Sequence, residues 1–294
     1  MAAYYTDREY GVRPRTDYVI GDRLWAGLDA LIRTYIADGS FGYRFPEPCP
    51  DPHSAPCGCD EQAFGRLLVA EVPWAEWPLP RESVPATPTI LDVLEFCAAA
   101  VGSPIKGSFH QYYQHHHLTW DREAGLQRFV SDVNLLFARN GVAYELTPEG
   151  QARRLLPQPL AETLAWALFT TGDAETDRLL EAARLRIVSP KPEDRQDALE
   201  KLWDAFERLK TLEPGRDKKE QANVLLDRTA PPGSKLREVL GEEAMVLTGI
   251  GNSFRIRHSE VGKELLSSVE QIDYLFARMF AFVRLVLKAT GRGG

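Results

Sequence analysis

The chain has 294 residues, a length suited to about two domains that each bury their own core. With 44% hydrophobic and 26% charged residues and a formal charge of −7, it is neither a disordered polyelectrolyte nor a polybasic nucleic-acid coat, although a local basic groove is compatible with the sum. The opening MAAYYTDREY lacks a basic start followed by an apolar run, and the most apolar stretch, Met279 to Leu287, is interrupted by Arg284. That stretch is far short of the ~20 residues of a membrane span, so a cytoplasmic protein with no membrane partner is expected.

In chain order, Asp22 to Asp38 reads as the first helix, with Leu24, Leu28, Leu31, Ile32 and Tyr35 on one face and Gly39 just past its end. The prolines at 46, 48, 50, 52 and 56 then forbid helix or central strand. A helix from Asp60 to about Val72 follows, with Asp60 as its N-cap, and then a Pro-rich segment expected to lay Trp74 and Trp77 over the helices. Thr87 to Val101 is an amphipathic helix with Pro88 in its first turn and Cys97 on its core side. The stretch around His110 to His117 reads as a histidine-rich turn. Arg122 to Arg139 is a long helix using Leu126, Phe129, Val130, Val133, Leu136 and Phe137. VAYEL, a Pro-Glu-Gly turn and QARRLL form a β-hairpin, either solvated or a wing presenting Arg153 and Arg154 to nucleic acid.

Pro157 and Pro159 mark a domain boundary. Beyond it every segment reads as helix: about 160–170, 173–187, 193–212, 218–227, 234–247 and 268–289. In the fifth of these, Leu236, Val239, Leu240, Met245 and Val246 are the apolar positions. In the last, Val269, Ile272, Leu275, Phe276, Met279, Phe282, Val283 and Val286 recur at three and four residues. The fold class is therefore mostly α: a mixed helical N-terminal domain with a small β-hairpin over residues 1–156, then an all-α helical bundle over 157–294.

Three constellations could carry chemistry. Cys49, His53, Cys57 and Cys59 put three thiols and an imidazole within eleven residues of a rigid Pro/Gly loop, the donor set of a closed structural Zn²⁺ site; free thiols and a redox pair are the alternatives. His110 and His115 to His117 lie among Phe109, Tyr112, Tyr113 and Trp120 and are either locally hydrogen-bonded, contributors to the nearby metal, or a nucleotide-contacting or pH-sensing patch. Thr248 to Glu260, TGIGNSFRIRHSE, reads as a short turn between the last two helices that gathers Asn252, Arg255, Arg257 and His258: a phosphate-handling site or a solvated loop. On the helix read over 193–212, Asp204 and Glu207 share one turn, either to orient an Arg or His across the bundle or as an ordinary solvated face.

Taken together, TDREYG (Thr6 to Gly11), ADGSFGY (Ala37 to Tyr43), the CPDPH…CGCDE loop and HHHL…DREAGL resemble the N-terminal domain of AbiJ-type abortive-infection proteins of prokaryotic phage defence. LEKLWDAFERLKTLE, GNSFRIRHSE and DYLFARMFAFVRLVLKATG resemble a HEPN domain, so that the two resemblances span nearly the whole chain. The HEPN resemblance implies a dimeric four- to five-helix bundle that acts on RNA, in many members as a metal-independent endonuclease controlled by its companion domain. In such sites a His moves protons near neutral pH and a cation stabilises the pentacoordinate phosphate. Carried onto this chain, His258 matches the motif His and Asn252 the polar position, while Gly251 stands where the motif Arg would precede it, leaving Arg255 or Arg257 to supply the charge. A non-catalytic module binding RNA, nucleotide or a protein regulator is the other reading.

Overall fold

The computed structural model describes residues 4–11, 13–51, 55–156, 158–165, 167–254, 266 and 268–293. The chain divides into two compact units, Met1–Leu155 and Leu156–Gly294. It is mostly helical, with three two-stranded antiparallel sheets among the described residues. No helix among them is long and apolar enough to cross a membrane.

The first unit opens with a short exposed helix, α1 (Tyr5–Tyr10), pinned by the ion pair between Arg139 and Asp7 at 2.7 Å. Helix α2 (Asp22–Ala37) buries Leu24, Trp25, Leu28, Ile32 and Tyr35, the three-and-four spacing of one face. Strands β1 (Pro46–Glu47) and β2 (Gly58–Cys59) pair antiparallel and close the proline loop between them. Helix α3 (Glu61–Glu71) starts where Asp60 accepts a hydrogen bond from the Ala63 N–H at 2.9 Å, satisfying one of the orphan donors of its first turn. Helix α4 (Thr87–Ala100) begins on Pro88 and is apolar nearly all round, which suits a central position; Cys97 within it is fully buried.

The stretch expected as a histidine-rich turn is instead a β-hairpin: β3 (Ser103–His110) pairs with β4 (His115–Asp121) across a four-residue tip. Its strands alternate in side-chain direction, but histidine, serine and lysine occupy positions that would have to be apolar for the alternation to show in sequence. Helix α5 (Arg122–Arg139) follows at once, with Asp121 accepting from the Ala124 N–H at 3.0 Å, and Phe129, Val133 and Phe137 fully buried at intervals of four. Strands β5 (Tyr144–Leu146) and β6 (Ala152–Arg154) form the second expected hairpin. Of the two arginines read as facing nucleic acid, Arg154 is not available to it. Arg154 is only 1% exposed, with its guanidinium over the Tyr18 ring, and Arg153 is paired with Glu145.

An aromatic cluster holds this core together. Phe41 stacks on Phe64 at 5.0 Å, Tyr35 meets Phe129 edge-on at 5.2 Å, and Phe64 meets Phe96 at 5.4 Å. Such pairs add about 0.5–1.5 kcal/mol each beyond area burial. The Tyr35 hydroxyl donates to Asp132 at 2.8 Å; burial first, and that bond second, push its pKa up. Of the two tryptophans expected to lie over the helices, Trp77 packs on Phe64 at 5.1 Å, whereas Trp74 is 88% exposed.

The second unit comprises α6 (Gln158–Ala165), α7 (Ala174–Arg186), α8 (Pro192–Leu209), α9 (Lys218–Thr229), α10 (Lys235–Ser253) and α11 (Val269–Ala289). Asp173, Asp217, Ser234 and Ser268 cap α7, α9, α10 and α11, each accepting a backbone N–H of the first turn. The core joins Leu199, Leu202, Trp203, Phe206 and Leu209 of α8 to Ile272, Phe276, Met279, Val283 and Val286 of α11, all buried. Glu213, whose side chain is 4% exposed, lies beyond α8 and takes both Arg228 at 2.8 Å and Arg292, tying α9 to the residues after α11.

Helix α10 departs from the sequence reading twice. It runs six residues further, through Ser253, so Thr248 to Ser253 are helix rather than turn. Of its expected apolar positions only Leu240 is buried, together with Leu247; Leu236, Val239, Met245 and Val246 are 46–69% exposed.

Candidate functional site

The proline loop and the β3–β4 hairpin form one structure. The Leu118 N–H donates to the Pro56 carbonyl at 2.7 Å, Cys57 N–H to the Glu47 carbonyl at 2.9 Å, and the Trp120 indole to the Gly39 carbonyl at 2.8 Å. Gly42 lets the hairpin come this close: a Cβ there would fall on the Trp120 ring and the Gly58 carbonyl. These contacts bring residues more than sixty positions apart to one place.

At that place Cys49, His115 and His117 converge, with their donor atoms all within 4.8 Å of one another. Cys49 Sγ lies 3.3 Å from His115 Nε2 and accepts the Asp51 N–H at 3.5 Å. His117 is fixed through Nδ1 by the Ser108 hydroxyl at 3.0 Å; its Nε2 is buried and has no hydrogen-bond partner among the described residues. An unpaired buried polar atom costs about 1–3 kcal/mol, and a metal ion is a partner that removes the cost. One thiol and two imidazole nitrogens, one of them oriented by a hydroxyl on its far nitrogen, are the donor set and outer-shell arrangement of a site for a borderline-soft divalent ion. The structure therefore contains a Cys/His/His group able to hold a metal.

Two of the loop residues expected as ligands, Cys57 and Cys59, are not part of this group. Cys57 Sγ is 3.8 Å from the carbonyls of Glu47 and of Pro48, and burial, then Glu47 and Cys49, push its pKa up. Cys59, in β2 opposite Pro46, turns toward the core beside Cys97; burial, then Asp60, Glu61 and Glu47, raise its thiol to about 12. Burial raises Cys97 as well. At neutral pH these thiols keep their protons, which argues against a reactive thiolate pair. His53 lies outside the described residues. Read as a turn, the HisHisHis run is only one candidate contributor to the metal; in a strand, residues 115 and 117 share one face and 116 takes the other.

The second candidate is only partly described. Asn252 is exposed in the last turn of α10, while Arg255, Arg257 and His258 lie outside the described residues. Gly251 packs against the α8 face, where a Cβ would fall on the indole of Trp203. One turn earlier, Thr248 Oγ accepts from Lys210 Nζ at 2.9 Å, and the same ammonium pairs with Glu207 at 2.6 Å over the Phe206 ring. The cation paired with Glu207 is thus Lys210, the C-cap residue of the same helix.

Comparison with protein-family models, with curated proteins and with solved structures returned no match.

Proposed function

We propose that this chain is an abortive-infection protein of HEPN type, in which a C-terminal helical bundle binds RNA without cutting it and an N-terminal unit is held together by a structural Zn²⁺. The observation that carries the non-cleaving reading is Gly251 against Trp203. The motif arginine has no room at that position while Trp203 fills the core of α8, so the cation that would stabilise a phosphorane is displaced from its usual backbone site. The zinc half rests on the Cys49, His115 and His117 group, whose sulfur and imidazole donors suit Zn²⁺ over the oxygen-seeking ions. RNA as ligand, a homodimer through the bundle and control by a protein regulator follow from the resemblance.

A second reading, an RNA endonuclease with His258 as proton-transfer group and Arg255 or Arg257 as the cation, draws support from Asn252, exposed at the end of α10 next to them in sequence. Incubating the purified protein with total RNA and with tRNA separates the two. The proposal expects intact RNA and a salt-sensitive mobility shift that weakens when Arg255 and Arg257 are replaced by Ala. Fragments ending in a 2′,3′-cyclic phosphate, lost in His258→Ala, would establish the second reading instead. Intact RNA with no shift would remove RNA from the account.

A further inference from the structure

We infer that His110 is the fourth ligand of the metal centre, so that the ion is enclosed by one thiolate and three imidazoles and no position is left for water. This rests on the zinc reading above and adds the residue that closes the site.

The pairing of the hairpin places it there. His110 is the direct cross-strand partner of His115, and partners in an antiparallel pair stand on the same face. His117, two residues on, shares that face, so the hairpin offers three imidazoles to one side. Their rings form a nearly equilateral triangle: 5.5 Å from His110 to His115, 5.5 Å from His110 to His117 and 5.7 Å from His115 to His117. Imidazoles bound tetrahedrally to one Zn²⁺ at about 2.0–2.1 Å have ring centres roughly 5 Å apart, so the ring positions suit one ion. The donor atoms of His110 stand outside the group of three that lies within 4.8 Å, so its ring must also turn to bring Nδ1 to the metal. His116, between the two ligands, faces the other way, with Nδ1 on the Gly107 carbonyl at 3.1 Å and its ring against Phe109.

The hydrogen bonds of His110 define how it would bind. Asp51 accepts from Nε2 at 3.2 Å, which leaves the lone pair on Nδ1, now facing the Tyr113 N–H at 3.3 Å. Ligation through Nδ1 exchanges that long contact for the metal and keeps the Asp51 bond, giving a carboxylate–histidine–metal relay in which the carboxylate orients the ring and raises its basicity. Asp51 also donates its N–H to Cys49 Sγ, so one residue steadies ligands from both the loop and the hairpin. On binding, the Cys49 thiol releases its proton to solvent and the three imidazoles bind neutral. Cys57 is the nearby competitor, and its sulfur is turned to the backbone carbonyls of Glu47 and Pro48.

The test is Co²⁺ titration of the full-length protein after chelator treatment, read by visible absorption. Wild type is expected to show the intense d–d bands of a four-coordinate ion with one thiolate. His110→Ala should bind at least 100-fold more weakly with diminished bands as water enters, and Asp51→Asn should lose about 10–100-fold in affinity while keeping the four-coordinate spectrum. His116→Ala should match wild type. His110→Cys, which retains a ligand at the position and so guards against loss of folding, should nearly double the sulfur-to-cobalt charge-transfer band. An unchanged charge-transfer band in His110→Cys, or wild-type affinity and spectrum in His110→Ala, would overturn the assignment of His110 while leaving the zinc reading in place. No Co²⁺ bound by wild type would overturn the zinc reading itself.

Discussion

Gly251 is where the fold and the proposed function meet, and its replacement by Ala separates two opposing effects. In an ordinary helix interior the change stabilises by about 1 kcal/mol, because glycine has more backbone freedom to lose and no side chain to pack. Here the new Cβ would sit 2.7 Å from Trp203 Cδ1 and closer still to the neighbouring ring atoms, and Trp203 is only 4% exposed. Displacing a packed indole is an overpacking defect of about 1–3 kcal/mol. The second effect outweighs the first, so Gly251→Ala should destabilise the protein by ~1 kcal/mol, measured as a lowered urea midpoint at unchanged m-value. In a Trp203→Phe background the smaller ring makes room, and the same Gly→Ala change should become neutral or stabilising by about 0.5 kcal/mol, a coupling of at least 1 kcal/mol in the double-mutant cycle. Gly251→Arg, which writes the motif cation back, should destabilise further and leave RNA uncut. A Gly251→Ala protein as stable as wild type with Trp203 in place would refute the packing argument and the functional conclusion drawn from it.

Three further outcomes follow from single groups. Cys59 is held as a thiol by burial, with its pKa near 12, so iodoacetamide at pH 7.5 should leave it unmodified in the native protein and label it only after denaturation. Asp173, which caps α7 and takes Arg208 at 2.8 Å, has its carboxyl lowered to about 2 from 3.8, first by its hydrogen bond from Thr176. A lowered folded-state value means its contribution is present above about pH 4 and is lost as pH falls toward 2, so the acid unfolding curve of Asp173→Asn should be shallower across that window than that of wild type. Glu213→Gln keeps the shape but removes the charge from a buried carboxylate shared by two arginines; a loss of ~2 kcal/mol in chemical denaturation is expected.

Much of the helical framework was legible because helices announce themselves twice, by apolar spacing and by their caps. Helix α5 matches its expected bounds, Arg122 to Arg139, since Asp121 caps it and Phe129, Val133 and Phe137 repeat every fourth residue. The stripes of α8 and α11 are equally plain and equally buried. Helix α10 was misread because apolar residues alone do not say which face finds a partner; Leu240 and Leu247 bury, while Met245 and Val246 stay exposed. Its extension through two glycines ran against propensity and is accommodated by the fit of Gly251 on Trp203. The hairpin β3–β4 offers only a short alternation, Leu118 and Trp120 inward against exposed Thr119 and Asp121, and the histidines before it and the polar residues of β3 break the pattern. The metal group was half legible for the same reason. Cys49 stood out, but its partners come from a strand more than sixty residues away, and Cys59 is taken out of contention by its place in β2, which turns it to the core.

The most direct test of the account is the zinc content of the purified protein and of four variants, measured by elemental analysis on the same preparations. The account predicts one equivalent in wild type, retained in Cys57→Ser and Cys59→Ser and lost in Cys49→Ala and His117→Ala. Zinc lost from Cys57→Ser and Cys59→Ser, and kept when His117 is replaced, would put the ion within the cysteine loop alone and contradict the centre described here.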